Sequence, residues 1–373
     1  MRSRLRKLTG ALCAFGMMLC SAGTSLSLTA SATLPYGDVN DDGSVTTTDS
    51  LDLLKYSKGI YRGDAINLKN ADVDKNAIID VNDQKILNKA LIGAIGPLPY
   101  SQTGNTFDFT NYTLPNDESR SYKKYTCSTG TITDYTLSVP AITASVPASI
   151  RAGSIDDREL DSSDNAQCIV YLDYKKSNGN SCRATGFIVG NGVIATCAHT
   201  LYDGTTFHTD YKVKVYDAAG TTCIATYNAT ELHIPATYYN GYNKYYDYGL
   251  IYVDDDLTDY GTMALGLPTN EFETTEQTVA VSGFPGLVNG ISTSNRYYGL
   301  GTITTTTNDY RLCYTTYASP GQSGGPVYVE YTLGDETYRS AIGIHSTSAG
   351  SNHYAIRTTV PLLRFYYNNS HIG

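Results

Sequence analysis

The chain has 373 residues, a formal net charge of -9 and 17% charged residues. That balance supplies no basic face for nucleic acid, and no stretch beyond the first residues is long and apolar enough to cross a bilayer. With 33 Tyr and no Trp, the surface is expected to use tyrosine and threonine heavily.

The chain opens with Arg2, Arg4, Arg6 and Lys7, an apolar run from Leu8 to Cys20, and Ala30-Ser31-Ala32, which has the small-x-small form of a signal peptidase site. Residues 1–32 therefore read as a secretion signal cut after Ala32. The apolar run is too short for a membrane anchor, and Cys20 lacks the small preceding residue that lipoprotein processing prefers. The mature protein is expected to be secreted, soluble and extracellular.

Residues 38–49 place oxygen side chains in a fixed rhythm: Asp38, Asn40, Asp42, Thr46 and Asp49 at loop positions 1, 3, 5, 9 and 12, with Gly43 at 6 and Ser44 beside it. An EF-hand-type calcium loop has this spacing. Leu51, Leu53, Leu54 and Tyr56 then suggest an exiting helix. A second copy carries Asp72, Asp74, Asn76, Asp80 and Asp83, followed by the helical stretch 84–91. Ala77 stands where the sharp turn favours glycine, which predicts strain or weaker binding there. Two loops, each followed by a helix, resemble a type I dockerin of cellulosomes over about residues 36–94. The resemblance implies Ca2+ as the folding ion, a cohesin module of a scaffoldin as partner and a place in a cell-surface cellulosome. It also implies partner choice at loop positions 10 and 11, Thr47 and Thr48 in one copy and Val81 and Asn82 in the other. These differ, so the two faces are not expected to be interchangeable.

Residues 96–149, following a dockerin assigned to 33–95, are rich in Ser, Thr, Pro and Tyr without a helical period, and read as linker, pro-segment or both. From residue 150 to 373 short β-rich runs separated by Gly, Asn and Asp suit two antiparallel barrels, and 360–367 reads as a closing helix on the second barrel, with Pro361 in its first turn. Gly192 to His199 is an apolar strand entering a histidine, Asp247 leads the apolar run 248–253, and Gly321-Gln322-Ser323-Gly324-Gly325-Pro326 holds a serine between glycines. The order His, Asp, Ser is that of trypsin-like proteases. An α/β-hydrolase puts serine first and follows it with a helix, whereas Pro326 and its successors read as strand.

These motifs, with Thr185-Gly186-Phe187-Ile188-Val189, Ser282-Gly283-Phe284-Pro285-Gly286 and Ile342-Gly343-Ile344-His345, resemble the glutamyl endopeptidase branch of the trypsin fold: an all-β double six-stranded barrel with a C-terminal helix. The chemistry then assigns Ser323 as nucleophile, His199 as general base and Asp247 as its orienter. The amides of Gly321 and Ser323 form the oxyanion hole. The resemblance implies that His345 sits under a substrate glutamate. Ala318 occupies a pocket position where a hydroxyl is usual, leaving Ser319 or Ser346 to substitute. The stretch 149–158 resembles a mature protease start, so cleavage there either frees the enzyme or, if absent, leaves it tethered. Cys182 and Cys197 flank a hairpin, a placement that would set them across from each other and allow a bridge; no zinc spacing is present, and catalysis needs no cofactor. The expected activity is hydrolysis of protein or peptide substrates after Glu or Asp, without nucleic-acid or membrane partners. The alternative is an inactive protease-like binding module on a calcium-dependent anchor.

Overall fold

The computed structural model describes residues 36–59, 66–100, 120–137, 156–269, 277–308, 310–333, 336–349 and 352–367. The expected secretion signal and the expected processing site near Ser149 to Arg151 lie outside the described residues. The chain first forms two matching turns. Asp38 accepts from the amides of Asp42 and Gly43 (3.0 and 2.9 Å), and Asp49 from Val39 and Thr46 (both 2.8 Å). In the second turn Asp72 accepts from Asn76 and Ala77 (3.0 and 2.9 Å), and Asp83 from Val73 and Asp80 (3.0 and 2.9 Å). Each turn ends in a capping box, Thr46 with Asp49 and Asp80 with Asp83, which satisfies the first free amides of helices Thr47–Ser57 and Val81–Leu91. The helices face each other through buried Leu53, Tyr56 and Leu87 and through Ser50 Oγ bonded to Asn88 Oδ1 at 2.6 Å.

The remaining chain is β-rich. One sheet runs Thr131–Leu137, Arg120–Thr126, Glu231–Pro235, Gly249–Tyr252, Val193–Thr196, Ser181–Gly190, Ile169–Lys175, Thr209–Tyr216, Cys223–Asn228. The other runs Ala264–Leu265, Glu336–Ala349, Pro326–Leu333, Thr278–Gly283, Tyr297–Asn308, Arg311–Tyr314, Asn352–Arg357. Glu336–Ala349 also pairs with Asn352–Arg357, so the second sheet closes on itself around Val279, Val281, Ile303, Leu312, Val327 and Ile342. This is the all-β barrel architecture expected from the β-rich runs.

Three expectations need correction. Residues 120–137 are not simple linker: they form a hairpin that adds two strands to the first sheet, pairing Tyr122 with Pro235 and Thr126 with Glu231. Tyr122 is fully buried, stacked 4.2 Å from Phe365, and Arg120 Nη1 donates to Tyr248 Oη at 2.9 Å. The closing helix Val360–Tyr367 exists, but packs Phe365 on Tyr122 and Tyr248 of this first sheet, while Arg364 Nε donates to Gly59 O at 2.5 Å. Cys182 and Cys197 are both free thiols. The register pairs Phe187 with Ala195, which sets position 197 beside 185 and leaves Cys182 opposite Tyr174 on the neighbouring strand.

Candidate active site

Strand register brings the first two groups together. Gly249 pairs with Thr196 in an antiparallel ladder, so Asp247, two residues earlier, meets the short turn Ala198–Thr200 two residues later. Asp247 Oδ1 accepts the His199 amide at 2.8 Å, and Oδ2 lies 2.7 Å from His199 Nδ1. Both carboxylate oxygens therefore fix one residue, backbone and ring. Asp247 is buried, whereas the His199 side chain remains 26% exposed, so part of the ring is accessible. Burial pulls the His199 imidazole down, but the Asp247 carboxylate outweighs it and raises the pKa. Burial likewise pushes the Asp247 carboxyl up, and His199 together with a Ser346 hydrogen bond brings it below its usual range.

The serine turn is locked against the histidine turn from behind. Thr185 is the hub: its amide donates to Ser323 O at 2.9 Å, its hydroxyl donates to Gly321 O at 2.8 Å and accepts from Phe284 N at 2.9 Å, and its carbonyl accepts Thr196 Oγ1 at 2.8 Å. Gly324 has a positive φ of 87° and lies so close to Thr196 and Thr185 that a side chain there would collide with both, hence glycine. His345 O accepts both Gly324 N at 2.8 Å and Cys197 Sγ at 3.0 Å, joining the strand Glu336–Ala349 to both turns. Within the serine turn the amides of Gln322, Gly324 and Gly325 all donate to backbone carbonyls. Among the described residues those of Gly321 and Ser323 donate to no backbone carbonyl, as an oxyanion hole requires.

The specificity candidates fall out differently from the sequence reading. Ser346 does not offer its hydroxyl to a substrate: Oγ donates to Asp247 Oδ2 at 2.5 Å in a buried contact. It is a positioning residue, and Ser346→Ala is expected to reduce kcat on a chromogenic peptide about tenfold or more, the scale of a lost hydrogen bond to a buried charge. His345 is buried with Nδ1 against Tyr314 Oη; burial and the repulsion of His353 and His199 push its pKa down to about 3, so it is a neutral hydrogen-bonding group and no cation. Ser319 Oγ donates to Leu287 O at 3.1 Å and accepts from Arg158 Nη1 at 2.9 Å.

Arg158 is the functional candidate that sequence reasoning missed. Its guanidinium is buried, 4.9 Å from the Tyr317 ring, and donates to Ser319 Oγ, to Gln322 Oε1 at 2.5 Å and to Leu287 O at 2.7 Å. Asp156 pairs with it through two 2.8 Å bonds, which hold the Asp156 carboxyl down to about 2. An arginine eleven residues before the strand Ile169–Lys175 gives no sequence signal that separates it from a surface charge. On the open side, the pairing of Pro326–Leu333 with Glu336–Ala349 ends at Pro326 and Ile344; Thr347 and Ser348 pair with Tyr354 and His353 on the opposite edge.

Away from this site, the second acidic turn brings carboxylate oxygens of Asp72, Asp74 and Asp83 within 4.8 Å of one another. Burial, reinforced by mutual repulsion, pushes the Asp74 and Asp83 carboxyls well above their usual range. A hard dication fits such an all-oxygen set and would relieve that repulsion. The first turn presents Asp38, Asn40, Asp42, Ser44, Thr46 and Asp49 on the same backbone pattern, with Asp42 and Ser44 exposed.

Residues 184–331 match the family described as trypsin-like peptidase domain, and residues 36–92 the family described as dockerin type I domain. No curated protein matches the chain. Similar solved structures include a Glu endopeptidase in complex with MPD, 20% identical with a TM-score of 0.45 over 58% of this chain and 97% of its own. A thermostable serine protease, AL20, from an extremophilic microorganism is 18% identical, TM-score 0.45, over 56% and 100%. The protease Anisep from Arthrobacter nicotinovorans is 16% identical, TM-score 0.45, over 56% and 97%.

Proposed function

We propose that this chain, which carries a trypsin-like peptidase domain behind a type I dockerin domain, is an extracellular serine endopeptidase that cuts after acidic residues and is anchored through its dockerin to a cohesin. Ser323 attacks the scissile carbonyl while His199 takes its proton and returns it to the leaving amine. Asp247, held by Ser346, fixes the histidine tautomer and stabilises the imidazolium. The amides of Gly321 and Ser323 receive the developing oxyanion. The extended substrate adds as a strand along Ser346 to Ser348. The observation that carries the reading is the double grip of Asp247 on His199, amide and ring together, beside a serine turn whose Gly321 and Ser323 amides donate to no backbone carbonyl among the described residues.

An acidic P1 side chain needs donors in a desolvated pocket. Neutral His345 supplies one, and the Arg158 guanidinium supplies the fixed positive charge behind Ser319, whose own hydroxyl proton goes to Leu287 O. Cleavage profiling on a peptide library tests this: cuts concentrated after Glu and Asp support the pocket, and cuts mainly after other residues contradict it. Arg158→Met is expected to lower kcat/KM for Glu at P1 by about 10- to 100-fold relative to a Leu substrate, with Arg158→Lys recovering part of the ratio.

In the dockerin, Asp38, Asn40, Asp42, Ser44, Thr46 and Asp49 would hold one Ca2+, and Asp72, Asp74, Asn76, Asp80 and Asp83 another. The ion neutralises the carboxylates and orders the turns. Catalysis itself uses no metal in this reading.

A further inference from the structure

The duplicated turns share a backbone pattern but not an environment. In the first, residues 41–44 are exposed; in the second, Ala77, Ile78 and Ile79 are completely buried. What buries them is the chain's own peptidase barrel. Ile78–Ile79 pairs antiparallel with Leu267–Pro268, and Ala77 O accepts from Thr269 N and from Thr269 Oγ1, both at 3.1 Å. Ala77 and Ile78 belong to the same apolar cluster as Val279, Val281 and Leu312. Gly266 makes the space: a Cβ there would come within 2.5 Å of Ile78 Cγ2 and 2.9 Å of Ser340 Oγ. Ser340 Oγ in turn donates to Asp80 Oδ2, and Lys89 Nζ lies 3.3 Å from Tyr338 Oη.

We infer that the second calcium turn is an intramolecular docking device, fastening the dockerin to its own peptidase barrel, and that calcium in this turn and docking reinforce each other. The inference rests on the calcium reading above. Two loop positions serve both purposes: Ile78 at position 7, whose carbonyl is a ligand position in this type of loop, and Asp80 at position 9. Ordering them for the ion presents them to the barrel, and the barrel orders them for the ion. Such coupling is reciprocal. It also gives Ala77 a reason. At φ 62° the backbone favours glycine, yet the methyl fills the barrel cluster. The first turn, with Thr47 and Thr48 exposed, is left to face a partner.

The test uses the full chain with a recognition sequence for a foreign, site-specific protease placed between residues 101 and 119, and Ser323→Ala to prevent self-digestion. Two calcium ions per chain are expected by equilibrium dialysis. After cutting, the fragments should co-elute in calcium and separate once a chelator empties both loops. In the uncut chain the Thr269 amide should exchange about 100-fold faster after chelation. Gly266→Ala should part the cut fragments even in calcium and weaken one ion about tenfold, leaving the other and the peptidase activity of the Ser323 form unchanged. Fragments that part with both loops filled would overturn the docking while leaving the calcium reading intact. Fragments that stay together, with Thr269 equally protected after both ions are removed, would overturn the coupling. Fewer than two ions per chain would overturn the calcium reading and the coupling with it.

Discussion

Ser323→Ala is expected to lower kcat for peptide hydrolysis by about six orders of magnitude with little change in KM or in the folded state. The serine supplies the attacking oxygen, and removal of a triad nucleophile leaves only oxyanion stabilisation and binding, a residual roughly 10³- to 10⁴-fold above the uncatalysed reaction. The fold should tolerate the change, because the turn is held by its backbone: Thr185 grips the carbonyls of Gly321 and Ser323, and Gly324 N reaches His345 O at 2.8 Å. Kinetics on an internally quenched peptide, with thermal melting as control, check both halves.

Asp247→Asn is the second large effect, about 10⁴-fold in kcat. The side chain accepts from the His199 amide, sits 2.7 Å from Nδ1 and accepts from Ser346. An amide of the same shape loses the charge and presents a donor to one of these groups, so the ring loses its working tautomer. The pH profile gives an independent reading. The base-competent form of His199 is neutral, and its pKa is raised by Asp247 against the pull of burial. Activity of the parent enzyme should therefore rise along an acid limb lying above the ordinary imidazole range. With the carboxylate gone, burial and the repulsion of Lys176 remain, both lowering the pKa, and the limb should move to lower pH. A limb that stays in place while kcat falls would mean that another charge sets the histidine's pKa.

The buried contacts also bear on maturation. A cut near Ser149 to Arg151 is expected from the resemblance of that stretch to a mature protease start. It would leave upstream the hairpin Arg120–Thr126 and Thr131–Leu137, whose Tyr122 is buried against Phe365 and whose Arg120 bonds Tyr248. It would also leave upstream the docked second turn. Cleaving the backbone therefore does not by itself release the enzyme: two buried interfaces hold the upstream piece. Chain cleavage and liberation become separate events.

The pairing of His199 with Asp247 and the glycine-flanked serine turn were legible because the expected chemistry forces unusual local sequence. A serine among glycines, an apolar strand ending in Thr-Cys-Ala-His and an aspartate opening another strand are each rare together, and their order selects the fold. The two acidic turns were legible for the same reason, since an oxygen side chain at nearly every second position leaves a visible rhythm. The hairpin 120–137 was missed because its buried face uses Arg120 and Tyr122, and its neighbours Lys123, Lys124, Thr131 and Thr133 read as solvated. A signal existed in the turn at Thr129-Gly130 between runs rich in Tyr and Thr. Ser346 and Arg158 were beyond reach for another reason. Which acceptor a hydroxyl finds, and which wall a guanidinium backs, depends on strands distant in sequence. The same holds for Ala77, which as a loop residue looks like a defect and in the barrel fills space.

The most direct measurement is covalent labelling of the folded, calcium-loaded protein with a fluorophosphonate, followed by mass spectrometry of the modified peptide. One adduct per chain on Ser323, formed at a rate that climbs with pH through the His199 limb and vanishes in His199→Ala, is the predicted result. Protein that is folded yet unlabelled at Ser323, or labelled there equally fast without His199, would contradict it.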